Sequence, residues 1–309
     1  MISKISFIMK TYRAYSFLVV FVIFILVFSV RHGSAAEKLS VYVVNYPLKY
    51  FAERIGGNHV KVEFPVPAGI DPAYWNPDVE HISAYQKADL IIINGFGYAK
   101  WVNKVSLPES KMVNTSRAFK DQYITSKEVM THSHGAEGKH AHESLAFTTW
   151  LDLSLAARQA EAIADEMARK RPALKKTFQT NCASLKKELE ALDQDIQTIV
   201  SQDRSKPLMV SHPVYDYFAR RYGLNIVSVH WEPGEVPSGE QWLELKKILK
   251  DHPAKWMIWE GDPLKAIIEK LKGLQIESVV FDPCGNVPNE GDFLSIMTKN
   301  VNNLKRIFR

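Results

Sequence analysis

ALKKTFQTNCASLKKELEALDQDIQTIVS, residues 173–201, is the stretch that decides the fold. Its apolar positions are Leu174, Phe178, Cys182, Leu185, Leu189, Leu192, Ile196 and Ile199. The steps between them are threes and fours, the repeat of one helical face. Pro172 suits the first turn of such a helix and would not suit its interior. At 1.5 Å per residue the helix runs roughly 40 Å, enough to traverse two small domains and join them. A second helical pattern, Leu153–Lys170, leads into it.

On either side the pattern alternates between strand and helix. Before the long helix, Leu39–Val44 and Val60–Val66 read as strands, with helical spacing around Leu48–Ile55. Residues 88–95, ADLIIING, hold a continuous apolar run that fits a parallel strand covered on both faces. After the long helix, strands are expected at Leu208–Val210, Ile226–Val229, Trp256–Trp259 and Ser278–Phe281. Helices are expected at Val214–Tyr222, Gly239–Asp251, Pro263–Leu274 and from Phe293 onward. The expected fold class is α/β, with two parallel-sheet lobes joined by one long rigid helix. The expected divisions are 1–36, an N-terminal lobe over 37–152, helices over 153–202, and a C-terminal lobe over 203–309.

Residues 1–36 read as a secretory signal peptide. Lys4, Lys10 and Arg13 lead, Phe17–Val30 is almost wholly apolar, and small residues stand at Ser34 and Ala36. The apolar run is shorter than the roughly 20 residues of a bilayer span. No Cys lies near Ala36, so no lipid anchor is expected there. The whole chain has 39 basic and 34 acidic residues. Lys4, Lys10, Arg13 and Arg31 all lie within 1–36, which leaves 35 basic against 34 acidic, a net charge of +1. The basicity belongs to the export signal, and nucleic-acid binding is not expected. Cys182 and Cys284 are the two cysteines. An exported protein can oxidise such a pair, but Cys182 sits on the apolar helical stripe and reads equally as a buried thiol.

Open parallel sheets bind ligands beyond the carboxyl ends of their strands. Ser211-His212 follows the strand at 208–210, Glu260-Gly261-Asp262 follows 256–259, and Asp282-Pro283 follows 278–281. One imidazole and two carboxylates, His212, Glu260 and Asp282, thus emerge at one sheet edge, a donor mixture suited to zinc or manganese. Asp and Ser at such places also cap the next helix, and Asp282 and Glu260 each read equally as capping or loop-solvated residues. Residues 131–143, THSHGAEGKHAHE, carry His132, His134, His140 and His142. They read as a mobile loop that collects metal without fixed geometry.

The chain resembles the cluster A-I solute-binding proteins of zinc and manganese ABC importers, also called the metal-adhesin family. The resemblance covers residues 38–309. It is carried by residues 66–72 (VPAGIDP), 88–95, Trp150-Leu151-Asp152, Ser211-His212, residues 217–224 (YFARRYGL) and Pro237-Ser238. It implies a ligand cleft between the lobes that holds one divalent ion, with zinc expected and manganese or copper as alternatives. It also implies an ABC permease in the inner membrane as partner, a periplasmic location and a monomeric chain. Three His and one carboxylate hold the ion in such proteins. The carry-over places one His at His212 and the carboxylate at Asp282. The other two imidazole positions fall on Ala73 and Thr148, which offer no donor and a poor one. Substitute donors are Glu260, Asp71, His81, the loop histidines and Cys284. Tyr74, Trp75, Trp150 and Trp231 are candidate walls for a chelate or an organic ligand.

The expected function is therefore a metal-ion receptor for an importer. The alternatives are a receptor for a metal chelate or small organic molecule, and a periplasmic metal buffer that uses the His-rich segment. Neither His-Glu-x-x-His nor Gly-x-Ser-x-Gly occurs, and no enzymatic activity is expected.

Overall fold

In the N-terminal lobe, β1 (Leu39–Val43) alternates buried and half-buried residues, while β3 (Leu90–Ile93) is buried almost throughout. With β2 (Val60–Glu63) and β4 (Met112–Asn114) they form a wholly parallel sheet in the order β2-β1-β3-β4. The helices α1 (Tyr46–Gly56) and α2 (Val79–Lys87) connect its strands. Asn45 caps α1 by accepting from the Leu48 amide at 3.1 Å, and Pro47 sits in the first turn. Beyond β3 the chain turns at Gly95 (φ 84°), where a Cβ would fall 2.2 Å from Asn114 Oδ1 and from Ser116 Oγ. Only glycine fits that turn.

The structure is a computed structural model that describes residues 37–132 and 140–309. The expected signal peptide and His134 lie outside the described residues.

Of residues 131–143, expected as a loop, 131–132 and 140–143 lie in strands. β5 (Ile124–His132) and β6 (His140–Ala146) pair antiparallel, with Thr131 opposite Ala141 and His132 opposite His140. Backbone bonds make this ladder, so its polar composition gave no strand signal.

Two long helices follow, α3 (Leu153–Lys170) and α4 (Lys175–Val200). Phe178, Leu185 and Leu189 of α4 are fully buried, as the apolar stripe requires. α4 packs on α3 and α1 and also on the last helix, α8 (Phe293–Ile307), so one element runs through the cores of both lobes. On the N-terminal side Arg54 pairs with Glu188, and Asn181 donates to the Ile55 carbonyl at 2.9 Å. On the other side Asp193 accepts from Arg221 at 2.6 Å and from Tyr222 at 2.9 Å.

The C-terminal lobe is a second wholly parallel sheet, ordered β10-β9-β7-β8. Its strands are β7 (Pro207–Val210), β8 (Asn225–Ser228), β9 (Trp256–Trp259) and β10 (Glu277–Val280). The connecting helices are α5 (Asp216–Tyr222), α6 (Gly239–Asp251) and α7 (Lys265–Lys272). The carboxyl edges of the two sheets face one another. Tyr46 N, just past β1, donates to Gly285 O, past β10, at 3.0 Å. Asn286 Nδ2 donates to the carbonyls of Pro67 and Ile70, both at 2.8 Å. No described helix is long and apolar enough to cross a membrane.

Candidate metal centre

His212 leaves the end of β7. The Ser211 amide extends the ladder to Ile258 O at 2.8 Å, and Ser211 O accepts from Trp231 N at 2.7 Å. The sheet itself therefore fixes where the imidazole begins. His212 Nε2 lies 3.7 Å from Glu232 Oε1, and its ring is 6.0 Å from that of His230.

Asp282 leaves the end of β10 and is held from behind by α8. Asn300 accepts from its amide at 2.9 Å and donates to its carbonyl at 2.7 Å. Tyr215 adds a bond to Phe281 O at 2.7 Å. Asp282 Oδ1 accepts from Cys284 N at 2.7 Å, closing a tight turn in which Cys284 adopts φ 56°. This capping bond occupies one carboxylate oxygen and leaves Oδ2 for another partner. Burial raises the Asp282 pKa, while the Cys284 amide pulls it back.

Glu260 follows β9, and its carboxyl is strongly perturbed. Its pKa is pushed up to about 8, first by burial, then by the charges of Glu232, Asp71 and Asp282, and by a hydrogen bond with Glu232. Asp71 reaches the group from the N-terminal lobe. Its Oδ1 accepts from Ala73 N at 2.8 Å, and loss of hydration raises its pKa. Four carboxyls and one imidazole therefore gather where the sheet edges meet. Among the described residues, no three His, Cys, Asp or Glu side chains close on a common point that could hold an ion. Carboxylates this crowded repel one another, and a cation is what would draw them together.

The structure separates the sequence candidates. His212, Asp282, Glu260 and Asp71 fall in this group. His81 does not, because its ring Nδ1 is 2.7 Å from Asp78 Oδ1 at the start of α2. Ala73 is buried at 1% exposure and contributes only its amide. Thr148 gives its hydroxyl to Val214 O at 2.5 Å. Cys182 and Cys284 are both free and buried, so the possible disulfide is not formed. Burial raises the pKa of both thiols, that of Cys182 to about 11, which suits an inert core thiol.

The aromatic candidates separate as well. Trp231 packs in the core against Trp242 and Trp259, with centroids 4.7 Å and 6.2 Å away. Trp150 is 1% exposed and donates Nε1 to Pro283 O at 2.7 Å. Trp75 stacks edge-on to Trp101. Tyr74 is the one of the four that is exposed, with the Lys100 ammonium over its ring. Two cavities, of about 410 and 190 Å³, lie along the α3–α4 face, away from this junction.

Sequence reading missed Glu232. It stands four residues past β8, in Val229-His230-Trp231-Glu232-Pro233. The ends of β7, β9 and β10 drew attention, and the fourth strand of the same sheet carried an equivalent signal.

The chain matches the family described as zinc-uptake complex component A, periplasmic, over residues 41–307. The zinc-binding lipoprotein AdcA of Streptococcus pneumoniae is 28% identical over 283 residues, which take in 88% of this chain and 56% of AdcA. The chain thus spans about half the length of the first of the curated relatives it matches. The high-affinity zinc uptake system protein ZnuA of Bacillus subtilis is 25% identical, with 88% of each chain covered. Among solved structures, the metal-dependent lipoprotein YcdH from Bacillus subtilis superposes with a TM-score of 0.75 at 22% identity, covering 88% of this chain and 100% of that one. The Zn(II)-bound ZnuA-like domain of Streptococcus pneumoniae AdcA gives 0.74 at 22% identity, covering 88% and 99%. The solute-binding protein FpvC from Pseudomonas aeruginosa, in complex with Mn²⁺, gives 0.70 at 21% identity, covering 88% and 99%. These structures share the two-lobed α/β fold, and with the family match running over nearly the whole described chain, the protein belongs to the periplasmic zinc-uptake component A family.

Proposed function

We propose that this protein is the exported solute-binding component of a metal-ion ABC importer, which captures a divalent cation between its lobes and passes it to a membrane permease. Its place of action is the periplasm. The observation that carries this reading is the gathering of His212, Glu232, Glu260, Asp71 and Asp282 at the facing sheet edges. One imidazole with carboxylate oxygens is a donor set for zinc or manganese. The names of AdcA and ZnuA favour zinc, and the Mn²⁺ complex of FpvC keeps manganese as the alternative. The chemistry asked of these residues is binding and release, with no bond made or broken in a substrate.

A buffer built on the histidines of residues 131–143 is the second reading, favoured by the register that sets His132 opposite His140. Equilibrium dialysis with metal analysis separates the two. For a cleft receptor, Asp282→Asn and Glu260→Gln each weaken zinc retention by about tenfold or more. Retention unchanged in both variants would move the metal to the His-rich segment.

A further inference from the structure

Three lobe-to-lobe hydrogen bonds converge on the backbone beside the two ligands carried over from the sequence. Thr148 Oγ1 donates to Val214 O, two residues past His212. Trp150 Nε1 donates to Pro283 O, the residue after Asp282. Tyr46 N donates to Gly285 O, three residues past Asp282. The first two arise from one short turn, Thr149–Leu151, and the residue before it.

That turn is held rigidly from inside the N-terminal lobe. Asn94, at the end of β3 and fully buried, donates Nδ2 to Phe147 O at 2.9 Å and accepts from Thr149 Oγ1 at 3.3 Å. Gln159 of α3, also fully buried, donates to Asn94 Oδ1 at 3.0 Å and to Thr115 Oγ1 at 2.9 Å. These bonds tie the turn to β3 and α3, while Gln159 Oε1 is buried without a hydrogen-bond partner among the described residues. Thr148 itself is 5% exposed, and its hydroxyl proton is committed to Val214 O.

We propose that Thr148 is a positioning residue, a latch between the lobes that holds the His212 loop in register with the Asp282 loop, and not a donor to the ion. This rests on the reading of the junction as a cation receptor. The position expected to carry an imidazole ligand then serves the site through the backbone of the opposite lobe. Groups that orient ligands without touching the metal typically govern affinity by 10–100-fold.

Thr148→Val removes the hydroxyl at nearly constant volume and is expected to weaken zinc binding by about tenfold. Thr148→Ser keeps the hydroxyl and recovers most of the loss. The measurement is zinc titration of residues 37–309, with the melting curve of each variant confirming that it folds. Wild-type affinity in Thr148→Val, or a loss in Thr148→Ser as large as in Thr148→Val, overturns the proposal.

Hydrogen exchange on the metal-free chain tests the latch without any ion. Amides flanking Val214 and Pro283 are expected to exchange faster in Thr148→Val and to return to the wild-type rate in Thr148→Ser. Equal exchange in all three proteins overturns the latch. A wild-type chain that binds no ion, with the exchange difference intact, would instead overturn the receptor reading.

Discussion

At the scale of single residues, Glu260 has the largest consequence. Its carboxyl titrates near 8 in the folded chain and at 4.5 in the reference state. Below pH 4.5 it is protonated folded and unfolded alike and costs nothing. Between 4.5 and 8 the unfolded chain releases the proton and the folded chain keeps it, so stability falls as pH rises. Above 8 the whole penalty is present. Glu260→Gln removes it, and the metal-free variant is expected to be more stable than wild type by about 1–3 kcal/mol at pH 8, with no difference at pH 4. Urea unfolding at the two pH values checks this. A variant destabilised equally at both would mean that Glu260 supports the fold and does not burden it. A site that is destabilising until a cation arrives is the expected mark of function at a cluster of like charges. If the ion is held as proposed, it takes the place of the Glu260 proton, and affinity is expected to fall as pH drops below 8.

At the scale of elements, α4 carries the greatest structural load. Leu189 is fully buried on the stripe that serves both lobes, and Leu189→Ala is expected to cost about 2–5 kcal/mol. One cooperative transition at a lower midpoint is the expected result of denaturant unfolding. Two separated transitions would mean that the lobes are independent of their shared helix. This element was legible in the sequence because its residues repeat at helical spacing. α3 and α6 were legible to the residue for the same reason, and β9 through its continuous apolar run WMIW, most of which is buried. α2 was not, since Tyr85 is its one buried side chain and its other apolar residues, Val79, Ile82 and Ala84, are exposed or half-buried. β4, only three residues long, and the polar hairpin β5–β6 were not legible either, because backbone pairing holds them and leaves no periodic apolar trace. The site divides in the same way. His212, Glu260 and Asp282 followed from strand ends. Glu232 was hidden between Trp231 and Pro233, four residues beyond its strand, and the use of Thr148 was hidden because its partner is a main-chain carbonyl.

At the scale of the whole molecule, the two sheets meet edge to edge and are stitched by direct bonds. Asn286 reaches across to Pro67 and Ile70, Tyr46 to Gly285, Thr148 to Val214 and Trp150 to Pro283. With α4 built into both cores, wide hinge opening would break all of these contacts at once. Ion binding is therefore expected to work through the loops at the junction. Small-angle scattering should give the same radius of gyration with and without zinc, and a contraction of the size seen in hinge-closing receptors would contradict a stitched junction.

The ion is proposed to be held at the junction by His212 and its carboxylate neighbours. The most direct measurement is a calorimetric zinc titration of residues 37–309 lacking 133–139, with and without His212→Ala. One tight site per chain, lost or weakened by at least about tenfold in His212→Ala, is the predicted result. An unchanged titration in the variant, or no tight site in the parent chain, would contradict it.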